Sequence, residues 1–148
     1  MAIAIAIMMK DWETPEWVRD QISPDLPGVD IRCVPELGNM DDIDVLICDK
    51  VPPGLVGQLP NLKFLQKLGA GVETMVREPD LGPDVRIARL KSVSAAREIT
   101  EYCLLYVLRE HRHARVYASN QLKRLWKAHA PKLTPSVTVG VLGLGHIG

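Results

Sequence analysis

The chain has 148 residues, 47% hydrophobic and 24% charged, so it can bury the core of one ordinary domain and is not composed like a disordered segment. Lys and Arg number 18, Asp and Glu number 18, and the formal net charge is zero. No charge excess would draw nucleic acid or an anionic membrane, and with aromatics at 5% there are few platforms for base stacking; neither partner is expected.

The chain opens on an apolar run, Met1 to Met9. No basic residue precedes it and no small-x-small cleavage site follows, so a signal peptide is not expected. The alternation Ala2-Ile3-Ala4-Ile5-Ala6-Ile7 predicts a first strand covered on both faces, its alanine face open to the close approach of a helix. Thr14-Pro15-Glu16 is a helix start: Thr as N-cap, Pro at the first helical position, an acid in the first turn. That helix should end near Ser23, before Pro24, with a turn over Asp25-Leu26-Pro27-Gly28.

Apolar runs bounded by breakers predict strands from Val29 to Val34, Asp44 to Cys48, Leu62 to Leu68 and Val85 to Leu90. Between them, Gly54 to Leu59 and Glu73 to Arg77 should each form a short helical segment. Strands alternating with helical segments predict an α/β doubly wound parallel sheet, and the crossover rule places helices on both faces. Cys33, Cys48 and Cys103 are odd in number and far apart, with no C-x-x-C pair. They are read as reduced core thiols of a cytoplasmic protein, and no metal site is expected.

A long helix should begin at Ser94. Within it Tyr102 to Leu108 is apolar at every position, which predicts a buried helix, and the run is too short to span a bilayer. The sequence then turns basic at Arg109, Arg112, Arg115, Lys123, Arg124 and Lys127. A short charge run of this kind is read as a solvated face or subunit contact, with an anion or nucleic-acid patch as the alternative.

Two glycine motifs carry the chemistry. Val137 to Leu142 is a β-branched run predicted as a strand, and it leads into Gly143-Leu144-Gly145-His146-Ile147-Gly148, a G-x-G-x-x-G. In that context the first glycine permits a tight turn, the second lets backbone approach a pyrophosphate, and the third lets a helix pack closely. Gly143, Gly145, His146, Ile147 and Gly148 are therefore the candidate cofactor-binding residues; a plain glycine-rich turn is the alternative. Leu68-Gly69-Ala70-Gly71-Val72-Glu73 ends the fourth predicted strand, and ligands of open α/β sheets sit at the carboxyl ends of strands. Glycines there would free successive N–H groups to form a nest for an anion, which makes Gly69, Ala70 and Gly71 the candidate substrate-binding residues. A simple strand-to-helix turn is the other reading.

The run Leu62 to Glu73, the pair Glu101-Tyr102, the helix through Arg112, Leu125-Trp126-Lys127 and the spacing from Trp126 to Gly143 resemble the D-isomer-specific 2-hydroxyacid dehydrogenases, particularly their glyoxylate/hydroxypyruvate reductase A branch. The resemblance implies a flavodoxin-like substrate domain over residues 1–93. It implies that residues 94–148 form a linker helix, an arm and the first helices and first strand of a Rossmann domain binding NAD or NADP. It also implies hydride transfer to a small 2-oxo acid or from a 2-hydroxy acid, and a homodimer. The backbone N–H groups matching Ala70 and Gly71 would hold the substrate carboxylate. The catalytic histidine, its acid and the substrate-binding arginine of this family lie downstream of the fingerprint. The chain is therefore read as an N-terminal fragment, inactive by itself, and His111, His113, His129 and His146 are not assigned that role. Two departures are evident: Glu73 stands where the family has Asp, and Cys48-Asp49-Lys50 stands where the branch has Trp-His. The rival readings are a non-catalytic flavodoxin-like receiver, for which Asp11, Asp49 and Lys91 are weak markers, a nucleotide-sensing module, and a structural assembly subunit.

Overall fold

The computed structural model describes residues 2–7, 14–130 and 132–147. The chain divides into two compact units, residues 1–91 and 92–148. In the first, β1 (Ala2–Ala6), β2 (Asp30–Cys33), β3 (Ile43–Cys48), β4 (Phe64–Lys67) and β5 (Arg86–Arg89) form a five-stranded sheet, parallel throughout, in the order β2-β1-β3-β4-β5. That is the flavodoxin-like order, in which the chain reverses direction across the sheet between β1 and β3.

β1 is buried along its whole length because both faces of the sheet are covered. Ala2, Ala4 and Ala6 share one cluster with Leu46, Leu65, Leu55, Leu59 and Met75. Ile3 and Ile5 share another with Val18. Each fully buried aliphatic side chain here, such as Ile5, contributes about 1.5–3 kcal/mol relative to exposure. Val18 belongs to α1 (Pro15–Ile22), whose start follows the expected chemistry: the Thr14 hydroxyl accepts from the Trp17 N–H at 3.1 Å. Val18 and Ile22, one turn apart, present the apolar face of α1 to Ile3 and Ile5. The helix thus lies on the isoleucine face. The alanine face is closed instead by the chain around Leu37, by a single 3-10 turn at Val56–Gln58 and by the turn holding Met75. The two short segments expected as helices reduce to that 3-10 turn and to one turn over 72–76, where the Val76 N–H donates to Val72 O at 3.1 Å. Pro53, Pro60 and Pro79 leave them no length to extend.

At the amino end of the sheet Arg32 ties β2 to the loop after it. Its guanidinium donates to Asp30 (2.6 Å), Asp42 (3.2 Å) and the carbonyls of Leu37 and Asn39 (both 2.9 Å). The hydrogen bonds from Arg32 to Asp30 and then Asp42 raise its pKa further.

The second unit contains α2 (Val93–His111) and α3 (Ala114–Leu122). The Ser92 hydroxyl accepts from the Ala95 N–H at 3.1 Å and caps α2, one residue before the predicted start. His113, in the left-handed region at φ 53°, breaks the helix and turns it into α3. The following segment returns to α3, where the His129 N–H donates to the Tyr117 hydroxyl at 3.0 Å.

Three expectations need correction here. Tyr102 to Leu108 is not buried: Tyr102, Leu104 and Leu105 are all more than half exposed. A helix apolar on all sides takes its cover from other segments, and the described residues of this unit supply none over Tyr102, Leu104 and Leu105. Residues 137–142 join no ladder among the described residues. A strand exists only through hydrogen bonds to another strand, and this unit supplies helices. Of the three cysteines Cys48 is buried in a core and Cys33 is half-buried against the Ile3, Ile5 and Val18 cluster, but Cys103 is exposed on α2. Among the described residues no helix is long and apolar enough to cross a membrane.

Candidate functional site

The carboxyl end of the sheet carries the first candidate site. β4 stops at Lys67, and Leu68 to Ala70 bend away from it. Three hydrogen bonds hold this bend: the Leu68 N–H donates to Cys48 O (2.8 Å), the Leu90 N–H to Gly69 O (3.1 Å), and Arg89 Nη1 to Ala70 O (2.9 Å). Gly69 is half-buried, while Ala70 and Gly71 are exposed. Asp49, next to Cys48 at the end of β3, is buried at 5% exposure. Burial pushes the Cys48 thiol up to about 12, with the Lys67 ammonium pulling weakly the other way.

The two glycines differ from the expectation. Neither adopts a left-handed backbone; the glycines that do are Gly28, Gly38, Gly54 and Gly143. Nor does tight packing demand them, since the nearest atoms belong to flexible side chains. A β-carbon at Gly71 would stand 2.5 Å from Glu73 Oε2, and one at Gly69 would stand 3.4 Å from Lys67 Cε. The side chains of Lys67 and Glu73 both fold back over the loop. The sequence reading missed Lys67 and Arg89; the available signal was a cation as the last residue of two successive strands.

The second candidate lies in the other unit. Gly143 has φ +89°, and a β-carbon at Gly143 or Gly145 would meet nothing within 4 Å. His146 and Ile147, with Val93, Ala96, Arg97, Thr100 and Glu101 of α2, line a cleft of about 400 Å³. Arg97 is the cation of that cleft, and the glycine pattern alone gave no hint of it. Gly148, the third fingerprint glycine, and Asp11 lie outside the described residues. Among the described residues no group of three or more His, Cys, Asp and Glu side chains is placed to hold a metal ion.

No family model matches the chain. Relatives do. The glyoxylate/hydroxypyruvate reductase A of Serratia proteamaculans is 28% identical over 138 residues, covering 90% of this chain and 44% of the relative. The protein of the same name from Yersinia enterocolitica is 28% identical over 142 residues, or 93% of this chain and 45% of its own length. Among solved structures, a D-isomer specific 2-hydroxyacid dehydrogenase from Xanthobacter autotrophicus, in complex with NADPH and MES, superposes with a TM-score of 0.84 at 28% identity, over 99% of this chain and 47% of that one. An NADPH-dependent glyoxylate/hydroxypyruvate reductase from Sinorhizobium meliloti, in complex with NADP and sulfate, gives 0.81 at 25% identity, over 99% and 46%. The chain spans about half the length of the curated relatives it matches. In sequence and in fold alike, the chain is similar to the D-isomer-specific 2-hydroxyacid dehydrogenases, with proteins named glyoxylate/hydroxypyruvate reductase A among its relatives.

Proposed function

We propose that this chain is the substrate-domain half of an NAD(P)-dependent 2-hydroxyacid dehydrogenase that reduces a small 2-oxo acid of the glyoxylate or hydroxypyruvate kind. One observation carries the reading. A flavodoxin-like sheet ends in a glycine-containing bend at residues 68–71 whose last two residues are exposed, and the solved structures similar to it include a 2-hydroxyacid dehydrogenase in complex with NADPH and a glyoxylate/hydroxypyruvate reductase in complex with NADP. In this reading the Ala70 and Gly71 N–H groups hold the carboxylate of the acid. Gly143 and Gly145 let the backbone come against the pyrophosphate of the cofactor, and the cofactor supplies the hydride. The histidine, acid and arginine that move the proton and hold the substrate follow Gly148 in the whole protein. The 148 residues alone then turn over no substrate and bind NAD(P)H weakly.

Titration calorimetry of the chain with NADPH tests the division of labour; micromolar affinity would overturn it. In the whole protein, NADPH oxidation with glyoxylate or hydroxypyruvate is expected, and Gly71→Val should raise KM strongly because its side chain crowds the carboxylate. Wild-type KM in that variant would remove the loop from the substrate site. The absence of any reductase activity would favour a nucleotide-sensing module. The apolar surface of α2, exposed here at Tyr102, Leu104 and Leu105, supports a homodimer or a self-associating fragment. Sedimentation at micromolar concentration should show a species heavier than the monomer, and a clean monomer would exclude this.

A further inference from the structure

The bend after β4 has glycine at two of the three positions 69–71, and glycine carries more backbone freedom than any other residue. Neither of them sits in the left-handed turn conformation that glycine often supplies. The end of β5 holds the bend instead. The Leu90 N–H donates to Gly69 O at 3.1 Å, and Arg89 Nη1 donates to Ala70 O at 2.9 Å. Two consecutive peptide planes are thus held by their carbonyls. A trans peptide is flat, with its N–H opposite its C=O. Holding Gly69 O therefore sets the direction of the Ala70 N–H, and holding Ala70 O sets that of the Gly71 N–H; each points away from the group that holds its carbonyl. Among the described residues neither N–H donates to a protein acceptor.

The two holds differ in kind. Leu90 gives a backbone N–H, which any residue but proline would supply. Arg89 gives a guanidinium, and a charge-assisted hydrogen bond is roughly twice as strong as a neutral one. Nothing in the sheet calls for a cation there. Arg89 stands in register with Lys67, a like charge on the neighbouring strand, and makes no ion pair among the described residues. We propose that Arg89 is a positioning residue: through Ala70 O it sets the Gly71 N–H for the carboxylate of the 2-oxo acid, and it touches no substrate itself. This rests on the reading of the 69–71 loop as the substrate site and adds the residue that keeps that loop in shape. The Glu73 carboxylate lies over Gly71, and its exposed side chain has to swing aside when another carboxylate arrives. A backbone held from behind keeps its direction while that flexible side chain moves.

The test is steady-state kinetics of the whole protein with NADPH and glyoxylate, in Arg89→Met, Arg89→Lys and Gly71→Val. Methionine keeps a long stem and has no donor, while lysine restores one. Arg89→Met should raise KM about 10-fold, the size of one charge-assisted contact, and leave kcat within about 2-fold, because the group it aims binds substrate and transition state alike. Arg89→Lys should recover most of that loss. Thermal melts should show Arg89→Met as stable as the wild type, since the change also removes the repulsion from Lys67. Wild-type KM in Arg89→Met would overturn the positioning role; if Gly71→Val still raised KM, the loop would stand as the substrate site. Wild-type KM in Gly71→Val would take the loop out of the site and the proposal with it. A raised KM that Arg89→Lys does not relieve, with a melting temperature lowered in step, would make Arg89 a structural residue and overturn the proposal as well.

Discussion

The two units of this chain reach order by different routes. All the fully or nearly fully buried hydrophobic residues among those described lie between Ala2 and Met75, in the sheet unit. The helical unit contains the longer helix, 19 residues in α2, and buries none of it. A strand cannot form without a neighbour, so building the sheet necessarily stacked Ala4, Leu46 and Leu65 into one layer. A helix satisfies its own backbone, so α2 is regular with a Ser92 cap and basic residues Arg109 and His111 in its last turn, although none of its residues is buried. Regular secondary structure and a core are therefore separate achievements, and only in the sheet unit do they coincide.

That contrast can be broken most directly by truncating one apolar side chain in each unit. Leu46→Ala or Leu65→Ala, each at a fully buried position, should cost about 2–5 kcal/mol in urea unfolding. Leu104→Ala on α2, at 55% exposure, should change stability by less than about 0.5 kcal/mol. Similar losses in both would erase the distinction. A smaller effect is expected from overfilling: Ala4→Leu pushes a larger side chain against the packed alanine face and should cost about 1–3 kcal/mol. A neutral result would show that face to be loosely filled.

The helix caps sharpen the comparison, because they are local in both units. Thr14→Ala and Ser92→Ala each remove one acceptor for a backbone N–H and should each cost about 1 kcal/mol of helix stability. The Thr14 loss should appear in global unfolding, and the Ser92 loss as fraying of α2 in circular dichroism. The smallest effect is in the thiols. Exposed Cys103 should react with a thiol reagent at neutral pH, while Cys48 should react only on unfolding. Burial raises the folded Cys48 thiol to about 12 from an ordinary 9.0. Its contribution to stability is therefore complete below about pH 9 and is lost as the pH climbs toward 12. A Cys48→Ala variant with the same alkaline unfolding curve would contradict this.

What the amino-acid sequence determined by itself is local. Thr14-Pro15, the breakers around 29–34, 44–48, 62–68 and 85–90, and the long helical run from Ser94 place the elements of the fold within a few residues, because caps and bounded apolar runs act over roughly four to eight neighbours. The strand order was legible only through the family resemblance, since alternation says that Ala2 to Ala6 is buried and not which strand lies beside it. Tertiary structure alone decided that α1 takes the isoleucine face and that residues 102–108 stand exposed, because each depends on which distant segment arrives to cover an apolar surface. It also decided that residues 137–142 pair with nothing among those described, for want of a strand to bond. At the candidate site, Gly69 and Gly71 were visible as glycines, but their purpose was not. What surrounds them came from the fold: the side chains of Lys67 and Glu73 lie beside the loop, and Arg89 arrives from β5 nineteen residues later to hold Ala70 O; only the paired strands bring them together.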